Sequence, residues 1–117
     1  MSAQQAELDA LDALQTLTYQ NSARARLELQ TQASRFESSP FQSVRRTYLS
    51  TQIGLAFEAG QMDQVQGAID KLLALSQSKN DDIGQVLAHT ANAHRLGSQG
   101  KAREALLLLD RIEPQAL

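Results

Sequence analysis

The sequence predicts an all-α domain, an α-solenoid of about three antiparallel helix pairs, and three observations lead there. The first is composition: seventeen alanines and eighteen leucines stand among 117 residues, against thirteen valines, isoleucines and threonines together. Good helix formers so outweigh β-branched residues that a sheet protein is excluded. The second is a repeat. Residues 52–73 align on residues 92–113 at an offset of forty, with Gly60 on Gly100, Val65 on Ala105, Ile69 on Leu109, Asp70 on Asp110 and Leu72 on Ile112. A further shift of forty places Gln20, Ala25, Leu29 and Ala33 opposite Gly60, Val65, Ile69 and Leu73, a weaker copy that keeps the small or apolar positions. The third is punctuation, because capping and turn residues fall at the joints of that repeat. One domain over residues 1–117 follows, with repeats at about 1–39, 40–80 and 81–117.

Six helices account for these repeats. In the first, over 3–19, Leu8, Leu11, Leu14 and Leu17 recur at three-residue steps and leave Glu7, Asp9 and Asp12 outward. Asn21-Ser22 supplies capping oxygens for a second helix over 22–37. Ser39-Pro40 opens a third over 40–59, with serine as N-cap and proline in the first turn, where its missing N–H costs nothing. Gly60 ends that helix. The fourth, over 61–77, carries a wide apolar face of Val65, Ala68, Ile69, Leu72, Leu73 and Leu75. A longer polar link around residues 77–82 leads to Asp81-Asp82, which caps a fifth helix over 82–98. Gly100 marks the next turn, and the sixth helix, over 101–113, closes at Pro114. Its Leu106, Leu107, Leu108 and Leu109 point in every direction, unlike the polar outer face that ends a solenoid. Either one leucine is simply exposed, or further chain or a partner covers this end.

Little of the chemistry of catalysis is visible. There is no cysteine, so disulfides, thiolate metal sites and a cysteine nucleophile are excluded. His89 and His94 lie five apart on one helix, a rotation that keeps them from facing one metal ion. Gly54, Gly60 and Gly67 do not form a phosphate loop, and the carboxylates read as solvated faces and caps. No enzyme, cofactor or metal is expected. Arg45-Arg46 with Tyr48, and Arg24, Arg26 and Arg35, make the largest basic concentration, a pairing of residue types that can meet phosphates and stacked bases. The net charge of −2 argues against such a surface, and no nucleic-acid partner is expected. The longest apolar run, residues 105–109, is far short of a membrane span, and no leader is visible. The opening Met1-Ser2-Ala3, already helical in pattern, suits an excised fragment of a longer protein.

Residues 60–75 and 100–114 resemble the second half of a tetratricopeptide repeat. A turn glycine is followed by a small residue, spaced apolar positions and a closing proline: Gly60, Val65, Ile69 and Leu72, then Gly100, Ala105, Leu109, Ile112 and Pro114. Ile53-Gly54 with Phe57 echoes the first half, although the repeat here is longer than the family's thirty-four residues. Degenerate repeats of this kind resemble the sensory regions of bacterial signalling proteins, including GGDEF-type diguanylate cyclases. The resemblance implies that the first helix of each pair lines a concave face. That face would hold Thr47, Ser50, Gly54 and Glu58, then Leu87, Thr90, His94 and Ser98, each of which also reads as an ordinary exposed helix position. A mixed polar surface of this kind suits a peptide, a protein segment or a small polar ligand.

The expected function is therefore a non-catalytic binding module, the sensory or regulatory part of a larger signalling protein, periplasmic or cytoplasmic. The alternative is a free-standing adaptor or secretion-type chaperone that docks a partner through its C-terminal helix, with a homodimer through that helix as one form.

Overall fold

The computed structural model describes residues 2–116, with side chains described through Asp110. Seven helices follow one another: α1 (Ala3–Gln20), α2 (Ser22–Thr31), α3 (Ala33–Glu37), α4 (Gln42–Glu58), α5 (Met62–Ser78), α6 (Asp82–Ser98) and α7 (Ala102–Ala116). There is no strand among the described residues. Each helix packs on its successor along the chain, α3 reaching α4 across a short turn at Pro40; α4 also lies on α1 and α2, and α6 touches α4. The molecule measures 43 × 31 × 21 Å. No described helix is long and apolar enough to cross a membrane.

The joints are more regular than the sequence suggests. Helices α4, α5, α6 and α7 begin twenty residues apart, and one turn geometry connects them. At each joint a residue with positive φ follows the helix: Gly60 at 70°, Asn80 at 51° and Gly100 at 79°. The next N–H then reaches back to the helix: Gln61 to the Ala56 carbonyl at 3.0 Å, Asp81 to Ser76 at 2.8 Å, and Lys101 to Leu96 at 2.9 Å. This is the Schellman closure, which satisfies carbonyls that the helix itself leaves unpaired. The link over 77–82 is accordingly no longer than the others. Among the described residues Asn80 is the one non-glycine held at a left-handed φ, so Asn80→Gly is expected to stabilise the fold by about 0.5–1 kcal/mol. Urea denaturation measures this directly, and a loss of stability would contradict it.

Asn21 and Asp81 cap as anticipated: Asn21 Oδ1 accepts from the Arg24 N–H at 3.1 Å, and Asp81 Oδ1 from the Gly84 N–H at 3.1 Å. Three boundaries differ from the sequence reading. The helix expected over 22–37 is interrupted at Gln32, whose ψ of 7° leaves the α region. The Thr31 hydroxyl donates back to the Leu27 carbonyl at 2.9 Å, a contact that bends helices. The helix expected from residue 40 begins at Gln42, and Ser39 does not cap it; its Oγ instead accepts from the Phe41 N–H at 3.2 Å and donates to Glu7 at 2.7 Å. Nor does Pro114 close the last helix, which runs on to Ala116. A proline inside a helix forfeits one hydrogen bond and crowds the carbonyl four residues back, which costs about 3 kcal/mol and can bend a helix without ending it. The side chain of Ile112, used in the repeat alignment, lies outside the described residues.

The expected stripes meet in one core. Leu11 and Leu14 of α1, Ala25 and Leu29 of α2, and Phe36 of α3 join Val44, Tyr48, Leu49, Ile53, Leu55 and Ala56 of α4. Val65, Ala68, Ile69 and Leu72 of α5 and Ala88 of α6 complete it, with Leu8, Leu17, Leu73 and Leu75 half-buried against it. Helix α6 comes close to α5 where Gly84 faces Ser76: a β-carbon at 84 would lie 3.0 Å from the Ser76 Cβ and closer still to its Oγ. Only glycine fits there. The Ser76 hydroxyl is satisfied locally, donating to the Leu72 carbonyl at 2.6 Å.

Candidate functional site

The residues expected on one face fall into two clefts. Ser50, Gly54 and Glu58 of α4 line an open cleft of about 270 Å³ against Gln15, Thr18 and Tyr19 of α1. Spacings of four along α4 place these three on one side of the helix. Gln15 Nε2 donates to Thr51 Oγ1 at 2.9 Å across its floor, tying α1 to α4, and Thr51 in turn donates to the Thr47 carbonyl at 2.8 Å. Tyr19 is 92% exposed at the rim, the most solvent-facing large apolar side chain described. Glu58 is exposed, and Thr47 is half-buried and lines neither cleft.

Thr90, His94 and Ser98 lie elsewhere, along a second cleft of about 430 Å³ between α6 and α7 with Ala93, Gly97, Ala105 and Leu109. The imidazole of His94 meets the Phe57 ring edge-on, with centroids 4.8 Å apart, and this contact links α6 to α4. Leu87 is 37% exposed one turn before Thr90. The single face implied by the resemblance is thus divided, with the polar cleft at α1–α4 and the apolar one at the α6–α7 end.

Two of the grouped arginines, Arg46 and Arg24, are paired with acids, while Arg35 and Arg45 bond the amides of Gln32 and Gln42. Arg46 Nη1 bonds both Asp81 oxygens, at 3.0 and 3.2 Å, and Gln42 Nε2 donates to Asp81 at 3.3 Å. Burial works to raise the Asp81 pKa, but the Gly84 N–H, Arg46 and Gln42 together hold it below the usual carboxylate range. Arg24 pairs with Glu28 at 3.2 Å one turn along α2. Tyr48, grouped with these arginines in the sequence, is buried and donates to Glu37 Oε1 at 3.1 Å. Desolvation first, then the Glu37 carboxylate, pushes its phenol up to about 12. These bonds had no signal in periodicity, since Arg46–Asp81 and Tyr48–Glu37 join different helices. Their separations of 35 and 11 residues depend on how the joints turn.

Among the described residues no group of three His, Cys, Asp or Glu side chains converges on a point where a metal could sit. Comparison of the chain with family models, with curated proteins and with solved structures finds no match.

Proposed function

We propose that this chain is a non-catalytic helical-repeat module that binds an extended peptide or protein segment in the cleft between α1 and α4. The observation that carries the reading is Tyr19, almost fully exposed beside Gln15, Thr18, Ser50 and Glu58. A rigid aromatic with a polar tip, next to uncharged hydrogen-bonding groups and one carboxylate, is the composition of a recognition surface. Packing of each helix on the next, with α4 on α1 and α6 on α4, supports a solenoid of three pairs: α1 with α2–α3, α4 with α5, and α6 with α7. Glu37 and Tyr48 are titratable groups that share a cleft, but they are bonded to each other. A phenol pushed up to about 12 is far from the value that acid–base catalysis near neutral pH needs, so this pair is not an acid–base couple. Regulation of a larger signalling protein is the setting that the tetratricopeptide-like pattern implies.

The test is selection of random linear peptides on the immobilised protein. Related sequences should emerge, and their affinity should fall about tenfold or more in Tyr19→Ala and in Glu58→Lys with helix content unchanged. Failure to enrich a shared pattern, or binding that ignores both substitutions, would overturn the assignment.

A further inference from the structure

The repeat makes a comparison possible between grooves. Ala25, Val65 and Ala105 are equivalent, as are Leu29, Ile69 and Leu109, each forty residues apart. Ala25 and Val65 are 0% exposed and Ala105 7%; Leu29 and Ile69 are 4% and 3% exposed, but Leu109 is 40%. In the first two pairs the following helix closes over these positions: α4 lies on α1 and α2, and α6 lies on α4 and α5. In the last pair the same position is the open cleft between α6 and α7. It is therefore a continuation of the stacking interface that runs through the molecule.

Its floor also differs in size. Where the α4–α5 groove has Ile53, Phe57 and Val65, the α6–α7 groove has Ala93, Gly97 and Ala105. The inner groove receives Gly84 and Ala88 of α6, both buried, and the His94 ring edge-on against Phe57. A groove floored by alanine and glycine instead leaves room for an occupant with large apolar side chains. Leu109, 40% exposed, lines the cleft, Leu106, 63% exposed, lies one turn before it on the same side of α7, and Ile83 and Leu87 continue the stripe of Thr90 and His94 along α6. Slot and ridge thus lie side by side on one surface, which is the condition for an isologous contact.

The geometry points to a second copy of this chain as the occupant, packed about a two-fold axis near Leu106 with the two α7 helices antiparallel. The leucines of each copy enter the slot of the other, forming a closed four-helix contact from two α6–α7 pairs. Charge agrees with this register: about a centre at residues 106 and 107, Arg103 of one copy stands opposite position 110, an aspartate, in the other. The proposal is independent of the peptide reading, since its variants lie away from Tyr19 and Glu58.

Sedimentation velocity over a concentration series decides it. The whole chain should reach the dimer mass, and Leu106→Glu and Arg103→Asp should each raise the dissociation constant about tenfold or more. Combining Arg103→Asp with Asp110→Arg should restore the dimer. Gly97→Leu fills the slot from within; no atom lies within 4 Å of a β-carbon there, so it should yield a monomer with a melting temperature no lower than that of the parent. A parent chain that stays monomeric at several hundred micromolar overturns the proposal, as does growth to open-ended oligomers. So does a dimer indifferent to Leu106→Glu and Gly97→Leu, or a charge exchange that fails to restore association.

Discussion

Phe36→Ala is expected to destabilise the fold by about 3–5 kcal/mol, the range for truncating a fully buried aromatic. Phe36 is 0% exposed and stacks on Tyr48, with centroids 5.8 Å apart and planes 25° from parallel. It is the one buried side chain of the five-residue helix α3, so it carries most of what holds that segment on α4. Chemical denaturation followed by circular dichroism measures the loss. A cost below about 1 kcal/mol would mean that α3 is not part of the cooperative unit.

Asp81→Ala comes second, at about 3 kcal/mol, because one carboxylate performs three tasks. It caps α6 through the Gly84 N–H, pairs with Arg46 of α4 and accepts from Gln42. Loss of a cap costs about 1 kcal/mol, and stranding the partner of a largely buried ion pair costs about 3–5 kcal/mol; the two overlap and do not add. The Asp81 side chain is 9% exposed and that of Arg46 21%, so solvent screens the pair only in part. The pH dependence has a definite sign. The folded pKa lies below the unfolded one, so the contribution is full above the ordinary carboxylate value and drains away as pH falls through the folded value. Parent and variant should therefore differ most near neutral pH and converge in acid. A gap that stayed constant down to about pH 2 would show that charge on Asp81 is not what stabilises this joint.

The sequence made some of this legible and hid the rest for physical reasons. Local chemistry was readable: Asn21 and Asp81 as caps, Gly60 and Gly100 as left-handed turns, and the leucine stripe of α1 all depend on neighbours within one helical turn. Asn80 went unread as the third turn residue because asparagine is also at home in a cap or an ordinary link. The interruption at Gln32 has no glycine or proline to announce it, only a threonine whose hydroxyl bonds back to a carbonyl of its own helix. Ser39-Pro40 misled because the Ser39 hydroxyl found Glu7 on α1, a partner thirty-two residues away. The candidate site suffered most. Ser50 and Glu58 share a cleft, but His94 and its neighbours belong to another, because a forty-residue offset gives equivalent positions and not a common wall. Tyr19, which dominates the first cleft, lies near the end of α1, where periodicity gives a tyrosine no reason to be singled out.

The recurrent joint also governs which changes in length the chain can absorb. One residue added inside α5 would swing everything beyond it by about 100°, turning Ile69 and Leu72 out of the interior and separating Gly84 from Ser76. Lengthening by a complete helix and its turn shifts later residues without re-aiming them inside their own helix, and two such units preserve the alternation of roles as well. Insertions and deletions in this architecture are thus quantised, and the quantum is set by the distance from Gly60 to Asn80 and from Asn80 to Gly100.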